Sequence, residues 1–371
     1  MYQKIRPIAI YLPQFHPTPE NDEWWGKGFT EWTNVTKAKP LFTGHEQPNL
    51  PGELGFYDLR VPEVREQQAE LAKEHGIEGF MYWHYWFDGR RILERPFNEV
   101  LASGKPDFPF CLGWANESWK TIWHGHLKKG TFLEQTYPGE EDYKKHFYAV
   151  LPAFKDKRYI TVNKKCFFLI YKPFDIPNID LLLTTWRNLA QENGLNGIYF
   201  VALSNYADKE YDKLIKLGFD AIQSYWLPSL LSSSHKRPKT FRERLNTKLR
   251  KIMHKPKPQS LLKIYKYKEL IPYLSAPIDS TENVFPTLLP NWDTSPRLAE
   301  NGHIVVDSSP ELFRKHVKNA LKMLEQKPEE QRILFIKSWN EWAEGNYIEP
   351  DRKFGRQYLE VLRDEIQHFN R

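Results

Sequence analysis

Arg332-Ile-Leu-Phe-Ile-Lys-Ser-Trp-Asn-Glu-Trp-Ala-Glu-Gly-Asn-Tyr-Ile-Glu-Pro-Asp351 is the stretch from which the rest of the chain is read. Ile333 to Ile336 is a short apolar run of the kind shown by a strand buried on both faces. Trp339, Asn340, Glu341, Trp342 and Glu344 then crowd the strand's C-terminal end. A lone glutamate after a strand is ordinarily a solvated loop carboxylate or a helix cap. Two glutamates three residues apart, framed by indoles and closed by Gly345, instead suit a site that grips a sugar ring and moves protons at a glycosidic bond.

Seven further apolar runs lie upstream: Ile8 to His16, Gly79 to Trp86, Pro109 to Glu117, Phe167 to Pro173, Gly197 to Asn205, Ala221 to Pro228 and Thr287 to Asp293. Helical patterns separate most of them, at Val61 to His75, Asn178 to Asn193, Ala207 to Leu217 and Pro310 to Glu325, with Pro62 near one start and Gly76, Gly194 and Gly218 past three ends. Eight strands alternating with helices predict a (β/α)8 barrel spanning residues 1–371 as one domain. Long loops are expected after the first strand (Pro17 to Leu59) and the third (Ser118 to Leu151), and a basic insertion at 229–286 between the sixth and seventh.

A barrel of this kind builds its site at the C-terminal ends of the strands. Those ends carry Tyr11 and His16; Tyr82, His84 and Tyr85; Trp114, Asn116 and Glu117; Tyr225 and Trp226; Trp292 and Asp293; Asn340 and Trp342. Together with Trp32 of the first loop, they are expected to line a substrate cleft around Glu341 and Glu344. Thirteen Trp, 19 Tyr and 23 Phe, 15% of the 371 residues, suit such a cleft, because the apolar face of a pyranose stacks on a ring; a large aromatic core is the plainer use.

The net charge of +6 is local. Lys236 to Lys257 holds ten Lys/Arg against Glu243, a net +9, so the rest of the chain carries −3. Phe241, Leu245, Leu249 and Ile252 recur at helical spacing within it, so the segment suits peripheral contact with an anionic membrane; the plainer reading is a solvated surface helix. No nucleic-acid motif accompanies the charge. Cys111 and Cys166 sit in apolar runs and imply no disulfide framework. With no signal-peptide pattern and no long apolar span, the expected compartment is the cytoplasm, at most peripheral to its membrane.

Other chemistries lack their signatures. No glycine-rich phosphate loop or G-x-S-x-G elbow follows a strand, and His16, His84, His124 and His126 lack the H-E-x-x-H spacing, so neither a cofactor nor a metal is expected. Paired carboxylates remain, as Glu341 with Glu344 or, alternatively, Glu117 with Glu341, each of which follows an asparagine at a strand end.

Tyr11-Leu-Pro-Gln-Phe-His16, Trp24-Trp-Gly-Lys-Gly-Phe-Thr-Glu-Trp-Thr-Asn34, Tyr82-Trp-His-Tyr-Trp-Phe87, Trp114-Ala-Asn-Glu117, Trp292-Asp293 and Trp339-Asn-Glu-Trp-Ala-Glu-Gly345 closely resemble the WbsX-like proteins. These are associated with lipopolysaccharide, O-antigen and rhamnan assembly and are related to glycoside hydrolase family 99. The resemblance runs from about Ile8 to Leu362. It implies a (β/α)8 barrel and, from the hydrolase relatives, retaining endo-α-mannosidase chemistry on a polysaccharide. Carried over, Glu341 is the base for the sugar 2-hydroxyl, which displaces the leaving group through a 1,2-anhydro intermediate, and Glu344 is the acid for the leaving oxygen. Ala343 stands where those hydrolases have His, which bears on subsite shape and mannose specificity. A glycosyltransferase of polysaccharide assembly is the alternative, and a silent glycan-binding barrel the third.

Overall fold

The structure is a computed structural model and describes residues 4–120, 130–233 and 262–370. The basic run 236–257, its expected membrane contact, and His124 and His126 lie outside those residues.

The strands are β1 (Arg6–Tyr11), β2 (Gly79–Phe87), β3 (Phe110–Trp114), β4 (Lys165–Ile170), β5 (Ile198–Ser204), β6 (Ala221–Ser224), β7 (Val284–Phe285 and Thr287–Leu288) and β8 (Ile333–Ile336). They are parallel neighbours in chain order, with β8 returning to β1 through Arg6 opposite Ile333. The two arms of β7 flank Pro286; the first pairs with β6 and the second with β8, so the nine strand segments form a nearly closed barrel. A proline has no N–H to give a ladder and is tolerated where a strand breaks. Its carbonyl still accepts Phe335 N at 2.9 Å. The expected seventh strand, Thr287 to Asp293, is thereby corrected: pairing starts at Val284 and ends at Leu288, and Leu289 to Asp293 leaves the barrel toward the site.

Helices cover the outside: α1 (Pro62–Glu74), α2 (Arg95–Ser103), α3 (Glu140–Phe154), α4 (Ile179–Glu192), α5 (Ala207–Lys216), α6 (Pro310–Lys322) and α7 (Gln357–Phe369). Pro62 opens α1, where a missing N–H costs nothing, and Ser309 caps α6 by accepting Leu312 N at 3.3 Å. The loop after β1 holds two short helices, Pro19–Trp25 and Glu31–Lys37. Among the described residues, no helix is long and apolar enough to cross a membrane. Cys111 and Cys166 are buried and unlinked.

Every residue of β2 is buried, and alternation decides which face each takes. Trp83 and Tyr85 point into the barrel mouth, while Tyr82 packs on Phe97 of α2, and His84 and Trp86 pack on His146 of α3.

Candidate active site

A cavity of about 620 Å³ opens at the C-terminal end of the barrel. Leu12 and Gln14 reach it from β1, Trp83 and Tyr85 from β2, Glu117 and Trp119 from β3, Tyr171 from β4, Tyr225 from β6, Trp292 and Arg297 from the β7 loop, and Lys337, Glu341 and Glu344 from β8. Leu227, Leu231 and Leu298 form an aliphatic wall.

The β8 turn sets the carboxylates. Trp339 N donates to Ile10 O at 2.7 Å, tying the turn to β1, and Gly345 takes a left-handed φ of +54° that reverses the chain. Asp293 N then donates to Glu344 O at 2.7 Å. A Cβ on Gly345 would lie 2.7 Å from that same nitrogen, so only glycine permits the approach.

Around the pair, Trp83 Nε1 donates to Glu341 Oε1 at 3.0 Å and Lys337 Nζ to Glu341 Oε2 at 3.2 Å. Lys337 is 4.0 Å from Glu344, and Arg297 Nη1 meets Glu344 Oε1 at 2.5 Å. The other arm of Arg297 holds Glu31, whose side chain is wholly buried.

Burial raises both carboxyls, and the neighbours then separate them. At Glu341 the burial effect is outweighed by the Lys337 charge, a hydrogen bond with Glu344, the Arg297 charge and the Trp83 N–H, which together hold its pKa well below the usual carboxylate range. At Glu344, burial and the adjacent Glu341 charge outweigh Arg297 and Lys337 and hold it well above. The short Arg297 contact pulls the other way, yet that guanidinium is already matched by Glu31. Three carboxyls facing two cations are neutral when one carries a proton, and of the Glu341–Glu344 pair it is Glu344 that its surroundings push toward holding one. Burial is thus the first cause of the raised Glu344 pKa, and the like charge of Glu341 is the specific neighbour that adds to it.

Of the expected lining, Tyr85, Glu117, Tyr225 and Trp292 reach the cavity with Glu341 and Glu344. Glu117 is ion-paired with Lys172 at 2.6 Å. The others turn elsewhere. Tyr11 donates to Gln68 at 2.7 Å, His16 Nδ1 meets Pro13 O at 3.0 Å, and Trp32 Nε1 donates to Tyr57 O at 2.8 Å. Tyr82 faces α2, His84 meets His146 at 2.8 Å, and Trp114 donates to Trp86 O at 3.3 Å. Asn116 braces Lys172, and Trp226 donates to Asp279. Asp293 accepts His45 at 2.8 Å and Gln47 at 2.6 Å. Asn340 clamps both backbone groups of Leu12, and Trp342 stacks on Tyr347 at 3.7 Å. These residues hold the site's framework rather than its surface.

Trp83, Trp119, Tyr171, Arg297 and Lys337 were not expected. Strand parity points to Trp83, since it shares a face with Tyr85, and Lys337 stands four residues before Glu341 in the opening stretch. Arg297 carries no comparable signal in the sequence.

Comparison with known proteins adds three findings. A family model described as "Glycosyltransferase WbsX" matches residues 7–362. Two curated relatives from Xanthomonas campestris pv. campestris, strain B100 and a second strain, both called "Uncharacterized protein WxcX", are 35% identical over 361 residues. The match takes in 97% of this chain but 49% of theirs, so the chain spans about half the length of those relatives. Among solved structures, the GH99 endo-alpha-mannosidase from Bacteroides thetaiotaomicron has the same fold, with a TM-score of 0.58, 14% identity, and coverage of 98% of this chain and 97% of that one. A "Glycoside hydrolase-like protein" matches with a TM-score of 0.54 at 14% identity over 98% of this chain and 94% of its own.

Proposed function

The chain belongs to the WbsX glycosyltransferase family, and from that premise we propose that it is a carbohydrate-active enzyme acting on glycosidic bonds of a polysaccharide through Glu341 and Glu344. One observation carries the reading: two buried carboxyls on an aromatic cavity meet different partners, Trp83 and Lys337 at Glu341 and Arg297 at Glu344, and their surroundings push the two pKa values in opposite directions.

Glu344, protonated at rest, gives its proton to the leaving glycosidic oxygen. Glu341, ionised, takes the proton of the sugar 2-hydroxyl as that oxygen closes on the anomeric carbon and the old C–O bond breaks. The product is a 1,2-anhydro sugar, with Glu344 ionised and Glu341 protonated. Glu344 next removes a proton from an incoming hydroxyl, which opens the anhydro ring at the anomeric carbon, and Glu341 returns its proton to O2. Two inversions give net retention. Trp83 and Lys337 hold Glu341, Arg297 holds Glu344, and the rings of Tyr85, Tyr171, Tyr225 and Trp292 offer faces for the sugar.

A second reading is transfer rather than hydrolysis, in which the incoming hydroxyl belongs to an acceptor sugar. The aliphatic wall of Leu227, Leu231 and Leu298, which disfavours water, supports it alongside the family description. Mass spectrometry of oligosaccharides containing α-mannose and rhamnose, incubated with and without nucleotide sugars, separates the two. Fragments whose masses sum to the substrate plus one water mean hydrolysis, and growth of an oligosaccharide by added sugar, with or without nucleotide sugar as donor, means transfer. A lack of both across the panel, or equal conversion by Glu344→Gln, would sink the carboxylate reading.

A further inference from the structure

Glu349 lines no part of the cavity, and no step above uses it. It is nevertheless a point where the pieces that build the site meet. Its Oε2 accepts the indole N–H of Trp342 at 2.6 Å and the hydroxyl of Tyr57 at 2.9 Å, and its Oε1 accepts Nε2 of Gln68 at 2.7 Å. Gln68 lies on α1 and accepts the Tyr11 hydroxyl from the end of β1. Tyr57 belongs to the loop after β1 and is 3.3 Å from Nδ2 of Asn340, the residue that clamps Leu12. Trp342 stands between Glu341 and Glu344 in the turn itself, its ring stacked on Tyr347.

Water does not compete for these bonds, since Glu349 is 3% exposed, Trp342 1% and Gln68 0%. A buried carboxylate is expensive, and an apolar side chain would fill the same space at less cost. Burial does push Glu349 up, to about 7, against the pull of Trp342, Gln68, Tyr57 and Trp339. What a carboxylate offers and an apolar group does not is an acceptor strong enough to take three donors from three directions.

We propose that Glu349 is a positioning residue: by taking the Trp342 indole N–H it fixes the turn that spaces Glu341 from Glu344 and so lets that pair share one proton. The inference rests on the carboxylate reading above. The charged groups facing Glu344 are Glu341, Arg297 and Lys337; those around Glu349 are the neutral donors Tyr57, Gln68, Trp342 and Trp339, with Tyr11 behind Gln68. If the turn relaxes, the hydrogen bond between the two glutamates loosens and Glu344 loses the neighbour that keeps it protonated.

The test uses no substrate. The carboxylic C=O stretch of Glu344 is identified in the infrared spectrum as the band lost in Glu344→Gln, and its disappearance with rising pH is followed in the wild type, Glu349→Gln and Trp342→Phe. Both variants are expected to lower the midpoint by about one pH unit. Trp342→Phe keeps the Glu349 charge and a stacking ring, so it separates position from charge, and it decides alone where Glu349→Gln does not fold. An unmoved midpoint in Trp342→Phe overturns the inference, whatever Glu349→Gln does, while leaving the carboxylate chemistry intact. If Glu344→Gln loses no band at all, the resting protonation of Glu344 is refuted, and this inference goes with it.

Discussion

Nζ of Lys337 lies 3.2 Å from Oε2 of Glu341, beneath the rings of Tyr225 and Trp292, each 5.7 Å away. In that buried setting the ammonium is a main reason Glu341 stays ionised. Lys337→Met therefore raises the Glu341 pKa. Because the base works only when ionised, activity is lost from the acid side, and the acid limb of the pH profile is expected to move up by about one to two units. An unshifted acid limb would show that Lys337 acts otherwise.

The alkaline side belongs to Glu344. It gives a proton only when protonated, and its pKa is raised, so activity declines as pH rises through that raised value. Stability follows the same sign. A carboxyl raised in the folded state, such as Glu349 at about 7, contributes stability that is fully present below its unfolded pKa and lost as pH climbs through the folded one. Thermal melts of the wild type are expected to fall between about pH 5 and pH 8, and less steeply in Glu349→Gln. Equal slopes for the two proteins would count against a raised pKa at Glu349.

Trp83 and Tyr82 are neighbours with opposite fates. Trp83→Phe removes the 3.0 Å donor to Glu341 and is expected to lower kcat by about tenfold to a hundredfold. Tyr82→Phe, against Phe97 of α2, should leave kcat and KM within about threefold. Steady-state kinetics on the same oligosaccharide compare them, and the reverse ranking would contradict the facing assigned to β2.

That pair also shows what could be read from the sequence. The barrel was legible because parallel strands covered by helices on one side and packed inside on the other appear as apolar runs, and each of the eight runs contains a strand or overlaps one. Pro286 displaced the seventh, since the run after it looked like the whole strand. Side-chain facing was harder. Tyr82 and His84 stand beside Tyr85 at the same strand end, yet β2 is buried on both faces, so its apolar pattern does not say which parity faces the cavity and which the helix layer. Asn340, Asp293 and Asn116 are polar and close to strand ends, which in a barrel is where a cleft is expected. There they satisfy backbone groups that the barrel rim leaves open. Arg297 and Glu31 come from loops far apart in sequence, and only folding brings them together.

Gly345 ties this rim to the pair. With φ at +54° and Asp293 N at 2.7 Å from an added Cβ, Gly345→Ala is expected to cost about 1–3 kcal/mol and lower Tm by several degrees. It should also slow turnover, because the bond from Asp293 N to Glu344 O cannot persist. Calorimetry and kinetics on the purified variant check both, and a wild-type Tm would mean that the turn adapts.

The most direct measurement compares turnover with binding in Glu341→Gln and Glu344→Gln, on whichever oligosaccharide the wild type converts. Each variant is expected to lose about 10²- to 10⁴-fold in kcat while calorimetric affinity for the oligosaccharide stays within about threefold, because the amides keep the shape but cannot move the proton. Wild-type turnover in both variants would contradict the account and place the chemistry elsewhere in the barrel.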